Sequence, residues 1–196
     1  MQARTRRRSQ AERNAATRAA LVDAARRLFA RKGYAATGTP EIVAAARVTR
    51  GALYHHFEDK ADLFLAVARQ AAGEIAQRIA RDSRGGPPLD ALVRGAEAYF
   101  AAMGEQARAR LLLVEAPAML RSAQLAELSE LSGARELREG LAAALSSRGR
   151  VPLRELTTLV SAAFDRAALA IVNGEPAGGY RTAMRLLLEG LVNTRE

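Results

Sequence analysis

The chain has 196 residues, about half of them hydrophobic, and no cysteine: enough for a real core in one domain or two small ones, without a disulfide scaffold, a thiolate nucleophile or a Cys-ligated metal. Its net charge of +9 is lopsided, with 13 Lys/Arg against 5 Asp/Glu in residues 1–60 and 17 against 16 in residues 61–196, so a polyanion is the natural partner of the first third. No uncharged apolar run approaches the ~20 residues of a membrane span, and MQARTRRRSQ has no apolar segment after its basic residues; a cytoplasmic protein, not a membrane-bound or secreted one, is expected.

Ala, Leu, Arg and Glu dominate, no alternating β-branched run occurs, and the pattern predicts an all-α chain of about nine helices. Residues 1–12 read as a flexible basic arm. A first helix is predicted from Asn14 to Arg31, with Leu21, Ala25, Leu28 and Phe29 on one face and Gly33 as its stop. A second is predicted from Pro40 to Ala46, capped by Thr39. After a turn at Arg47-Val48, Thr49 caps a third helix reaching Phe57. Asp59 caps a fourth, to Arg81, with Leu63, Val67, Ala71, Ile75 and Ile79 every four residues. Gly85-Gly86-Pro87-Pro88 is the clearest break. Helices are predicted at 89–103, 107–116, 119–147, 152–173 and 178–193, limited by Gly104, Pro117, Gly149 and the NGEPAGG stretch.

Two short helices joined by a turn, the second capped by a hydroxyl, make a helix-turn-helix at about 38–57. Leu53 and Phe57, four apart and apolar, are assigned to the core with Ile42 and Val48; Arg50 and Tyr54 share another face. Gly51 and Ala52 carry almost no side chain, so this helix can sit deep in a major groove, with Ala52 near a thymine methyl. Arg50 is assigned to a bidentate contact with guanine, and Thr49, Tyr54, His56 and Lys60 to phosphates. Amides at the starts of helices 2 and 4 add phosphate contacts. Singly, each polar residue reads as well as a packed or solvated side chain; their joint spacing after a capped turn carries the assignment.

FARKGYAATGTPEIVAAARVTRGALYHHFEDKADLF, residues 29–64, resembles the DNA-binding domain of the tetracycline-repressor (TetR/AcrR) family. The matching features are Leu28-Phe29, Gly33-Tyr34, the Thr-rich start of helix 2, Ile42-Val43, Val48-Thr49, Gly51, Leu53-Tyr54, His56-Phe57, Lys60 and Leu63. The resemblance covers about the first 65 residues. It implies a DNA-binding domain at 13–60, a ligand-binding and dimerisation domain at 61–196, a homodimer on a palindromic operator, and release by a small-molecule inducer. The DNA-binding set is Thr39, Pro40, Arg47, Thr49, Arg50, Gly51, Ala52, Tyr54, His55, His56 and Lys60. Two departures stand out. Arg47 occupies the turn where the family usually has Gly, which costs on the order of 1 kcal/mol if that residue is left-handed. His55 stands where the family often has an aromatic.

The C-terminal part holds no His or Cys, and no phosphate loop, nucleophile elbow or HExxH occurs, so neither an enzyme nor a metal or cofactor site is expected. Tyr99, Phe100, Met103, Leu112, Glu115, Met119 and Phe164 are the candidates for an inducer pocket, or else plain core. Glu115, inside an apolar run, marks a cationic or hydrogen-bonding ligand or an Arg partner. Leu156, Val160, Phe164, Ala168 and Ile171 form one stripe, and Tyr180, Met184, Leu187, Leu188 and Leu191 another. They read as a four-helix dimer surface, or as the closure of the monomer core. The function expected is a ligand-responsive repressor; the alternative is a regulator of the same fold controlled by a protein partner.

Overall fold

The computed structural model describes residues 9–146 and 150–193. Residues 1–8 of the expected arm, and Gly149 as a helix limit, lie outside them. The described residues form nine helical segments and no strand. They divide into two compact units, one ending at Val67 and one beginning at Ala68.

In the first unit, α1 spans Gln10–Lys32, α2 Thr39–Ala46 and α3 Arg50–His56, and α4, Lys60–Asp82, supplies its first turns. Helix α1 starts four residues before the predicted Asn14. The Ser9 hydroxyl accepts from the Glu12 amide at 3.2 Å while the Glu12 carboxylate accepts from the Ser9 amide at 2.6 Å, a capping box that the S-x-x-E spelling already carried. The α1 stripe is buried as expected, and Phe29, Tyr34 and Phe64 meet with centroids 5.1–5.7 Å apart. Gly38, not Thr39, is the cap of α2; Thr39 and Pro40 open the helix itself. Asp59 caps α4, accepting from the Asp62 amide at 2.8 Å, and Leu63, Val67, Ala71, Ile75 and Ile79 are all buried.

The second unit holds the rest of α4, α5 at Pro88–Met103, α6 over residues 106–119, α7 over 122–144, α8 at Leu153–Val172 and α9 at Ala177–Asn193. Pro117 does not end α6, as the sequence suggested. The preceding turn widens, the Ala116 amide donating to the carbonyl of Leu111 five residues back, and the helix carries its proline through to Met119. Helix α7 is bent at Gly133, whose φ of 126° no other residue type adopts readily; a Cβ there would lie 2.5 Å from Ile79 Cδ1. The Gly85-Gly86 break is a turn pinned by Arg94, whose guanidinium donates to the carbonyls of Asp82, Arg84 and Gly85. The core joins Ile75, Ile79, Leu92, Phe100, Leu141, Phe164, Met184 and Leu188.

That core corrects the assignment of the last two helices. Val160, Phe164, Ala168, Met184 and Leu188, expected on a dimer surface, are buried in the unit's own interior, and Leu156, Tyr180 and Leu191 pack beside them. Periodicity marks an apolar stripe but not what covers it. The large apolar side chains left exposed on α8 and α9 are Leu159, Leu186 and Leu187.

Candidate nucleic-acid interface and ligand cavity

Helix α3 is seven residues long and begins where the Thr49 hydroxyl accepts from the Ala52 amide at 3.1 Å. Leu53 and Phe57 turn inward with Ile42 and are buried. Arg50, Gly51, Tyr54 and His55 are exposed. A Cβ on Gly51 would meet only the Thr49 hydroxyl, at 3.9 Å, so the first turn presents bare backbone. Arg50 lies 5.5 Å from the Tyr54 ring centroid. Hydrogen bonds from Thr39 and then Arg50 hold the Tyr54 phenol below its ordinary pKa. Thr39 at the start of α2 is thus brought to the face carrying Arg50 and Tyr54.

The turn before α3 explains the missing glycine. Arg47 has φ 55° and ψ 42°, the one left-handed non-glycine among the described residues. Its amide donates to Ala44 O at 3.1 Å, and the Val48 amide to Val43 O at 3.1 Å. These are the paired bonds of a Schellman cap, which needs a left-handed residue at this place. The side chain of Arg47 is exposed beside α3.

The two remaining expected contacts are differently placed. His56 is half-buried, and burial, His55 and Arg18, in that order, lower its pKa. Lys60 is part of the fold: its ammonium donates to Tyr34 O at 2.9 Å and Thr37 O at 3.0 Å and lies 4.0 Å from the Tyr34 ring centroid. Thr37, not singled out from the sequence, is buried, and its hydroxyl donates to Gly33 O at 2.8 Å. A T-G-T-P run reads as cap chemistry, which hid its first threonine.

Residues 21–67 match the family model described as bacterial regulatory proteins, tetR family. The match lies within the first unit and spans about a quarter of the chain. It is 54% identical over 48 residues to the transcriptional regulator AcrR of Shigella flexneri, a match spanning 24% of this chain and 22% of that one. The chain thus spans about a fifth of that relative's length in sequence. The likeness in fold extends over nearly the whole chain. A tetR-family transcriptional regulator of Pectobacterium atrosepticum superposes with a TM-score of 0.71 at 27% identity, covering 96% of this chain and 100% of that one. FadR of Bacillus subtilis, solved in complex with stearoyl-CoA, superposes with a TM-score of 0.73 at 17% identity over 91% of this chain and 99% of that one.

Within the second unit lies a cavity of about 440 Å³. Tyr99 and Phe164 line it, 5.3 Å apart and edge to face, with Ile79, Leu92 and Leu137. Three carboxylates line it, Glu136, Glu139 and Asp165. Asp165 accepts from the Tyr99 hydroxyl at 2.5 Å; burial raises its pKa, and the Tyr99 bond opposes that rise. Burial, then the Asp165 charge, drives Tyr99 well above its ordinary pKa. Glu136 pairs with Arg135 through one oxygen at 2.8 Å, while its other oxygen, Oε2, is buried with no hydrogen-bond partner.

The other expected ligand residues scatter. Met103 and Leu112 line a second cavity of about 390 Å³. Phe100 is core, Met119 is exposed, and Glu115 pairs with Arg110 at 3.1 Å. Of the cavity's acids, Glu136 was missed because it sits among Arg and Glu neighbours, and Asp165 because it stands beside Arg166; each reads as a solvated charge. Among the described residues no group of His, Cys, Asp or Glu is placed to hold a metal, and no helix is long and apolar enough to cross a membrane.

Proposed function

We propose that the chain is a ligand-responsive transcriptional repressor that binds a palindromic operator as a homodimer and is released by a small molecule. The observation that carries this reading is the outward face of α3: a capped first turn with a bare Gly51, flanked by exposed Arg50 and Tyr54. Such a turn can approach base edges closely, with Arg50 directed to guanine and with Arg47, Thr49, Tyr54 and His55 at the backbone. Lys60 has a third ammonium proton beyond the two it gives to carbonyls, and that proton suits a phosphate.

The cavity supports a small-molecule effector over a protein partner. Its volume suits a drug-sized ligand, and its lining mixes aromatic and aliphatic side chains with serines, acids and arginines. Its residues Ile79 and Ala80 belong to α4, the helix whose first residue is Lys60, so an occupant that shifted α4 would act on the DNA-binding unit through the chain itself. Selection of bound DNA from a random pool tests the reading. A near-palindrome with half-site centres about 34–36 Å apart is expected; recovery of unrelated sequences would overturn it.

A further inference from the structure

The two cavities of the second unit are neighbours: Ser129, Ser132 and Asp165 line both. Three helices pass from one to the other, and each changes cavity once. On α5, Leu92 and Tyr99 line the first and Met103 the second; on α8, Ser161 and Phe164 line the first and Leu169 the second. The order on α7 is reversed, with Leu137 in the first and Leu125 and Leu128 in the second. The changes on α5 and α8 fall at one level, since the Tyr99 hydroxyl donates to Asp165 at 2.5 Å. Asp165 is accessible to water, yet protein crowds it enough for burial to raise its pKa. A side chain at an opening within the fold meets both conditions. The serines beside it are short, and Ser132 turns its hydroxyl back to donate to Ser129 O at 3.2 Å.

The two sides differ in chemistry. Arg84 and Arg135 line the first cavity together with its three acids, so a head group of either net charge meets like charges there. The second is lined mostly by apolar side chains, Met103, Leu112, Leu113, Leu125, Leu128 and Leu169, and its one further charge beyond the junction is the exposed Arg166. Along α5 the combined lining runs from Ala91 to Met103, about 18 Å at the helical rise. We propose that the two cavities are one elongated site, joined at Ser129, Ser132 and Asp165, and that it takes a single-chain amphiphile: an uncharged, hydroxyl-bearing head in the first cavity and an aliphatic chain that crosses the junction into the second. The proposal rests on reading the second unit as a ligand-binding domain. Hydroxyls donate to carboxylates and accept from guanidinium groups at once, which suits a lining of both signs. The chain covers apolar surface that a shorter occupant leaves wet.

Hexyl, octyl and decyl β-glucoside, each titrated below its micelle concentration into the full chain by calorimetry, test this. One molecule per chain is expected, with affinity rising about tenfold for each two methylenes added. Ser132→Leu, and separately Ser129→Leu, place a branched side chain at the junction. Either should bring decyl glucoside down to the affinity of hexyl glucoside while leaving the hexyl affinity unchanged, which also reports that the variant is folded. Equal affinity across the three in the parent would confine the ligand to one cavity and overturn the proposal. A chain-length gain that survives both substitutions would place the chain elsewhere on the protein and overturn it too. Binding of none of the three would overturn the amphiphile alone, because the repressor reading stands or falls with the operator selection.

Discussion

The Lys60 ammonium lies 4.0 Å from the centroid of the Tyr34 ring and donates to the carbonyl of that same residue at 2.9 Å. A second bond, 3.0 Å to Thr37 O, closes the loop between α1 and α2 onto the first turn of α4. Lys60 therefore does two things that a phosphate contact alone would not. Lys60→Met keeps the aliphatic stem but leaves two carbonyls without their charged donor, at a cost of about 1–3 kcal/mol. Urea unfolding of the variant should show that loss, together with weaker binding to all DNA sequences alike. Full stability with weakened binding would assign Lys60 to the phosphate alone.

Arg47 is strained and positively charged, and the two properties can be separated. Arg47→Gly removes the left-handed penalty of ~1–2 kcal/mol, less the ~0.5–1 kcal/mol that glycine loses in chain entropy. A small rise in melting temperature is expected. If the side chain meets a phosphate, the same variant should bind DNA more weakly at low salt, with the log–log salt slope reduced by about one. Arg47→Gln, which keeps the strain, should lower the slope without the gain in stability.

Arg50 is exposed on α3 and lies 5.5 Å from the Tyr54 ring centroid. Arg50→Ala should relax base preference at a single position, by about 1–3 kcal/mol, and leave the melting temperature near that of the parent. A binding series over single-base operator variants checks this. Uniform loss across the series would move Arg50 from base reading to the backbone.

The first unit was largely legible from the sequence because its signals are local. Thr49 and Asp59 cap the helices they were assigned to, Leu53 and Phe57 turn inward, and the odd residue in the turn, Arg47, is the left-handed one. The second unit was legible as helices but not as a site. Nothing in periodicity says that the Val160 and Met184 stripes cover each other's interior, nor that a widened turn takes Pro117 past its expected stop. Glu136 and Asp165 became cavity residues only through contacts distant in sequence, such as Tyr99 with Asp165.

Asp165 makes stability depend on pH in a direction that can be worked out. Its folded pKa lies above the ordinary aspartate value, chiefly through burial, so the folded state binds its proton more readily than the unfolded state does. The contribution favours folding below the ordinary value and is lost as pH rises through the raised one. Asp165→Asn still accepts from Tyr99 but carries no charge. Relative to the parent it should gain melting temperature as pH rises through that window and hold the gain at pH 7. Tyr99, Glu136, Glu139, Arg84 and Arg135 share the cavity, and Arg166 shares the second one, so the comparison between parent and variant matters more than either curve alone. A constant difference between the two curves would show that the Asp165 carboxyl titrates normally.

Leu159 and Leu186 are 69% and 62% exposed on α8 and α9, and Leu187 beside them is 41% exposed. Exposed large aliphatic side chains on consecutive helices suit a symmetric helix–helix interface, and Leu187 belongs to the stripe expected there. Each should lose water on dimer formation, and a buried leucine contributes about 1.5–3 kcal/mol. In a two-fold interface every substitution counts twice. Leu159→Glu combined with Leu186→Glu should therefore shift sedimentation from dimer to monomer at micromolar concentration, while helical content and the melting of the first unit are retained. The control is Leu188→Glu, which buries a charge in the core and should unfold the second unit instead. A Leu159/Leu186 variant that stayed dimeric would place the interface on another face of the chain.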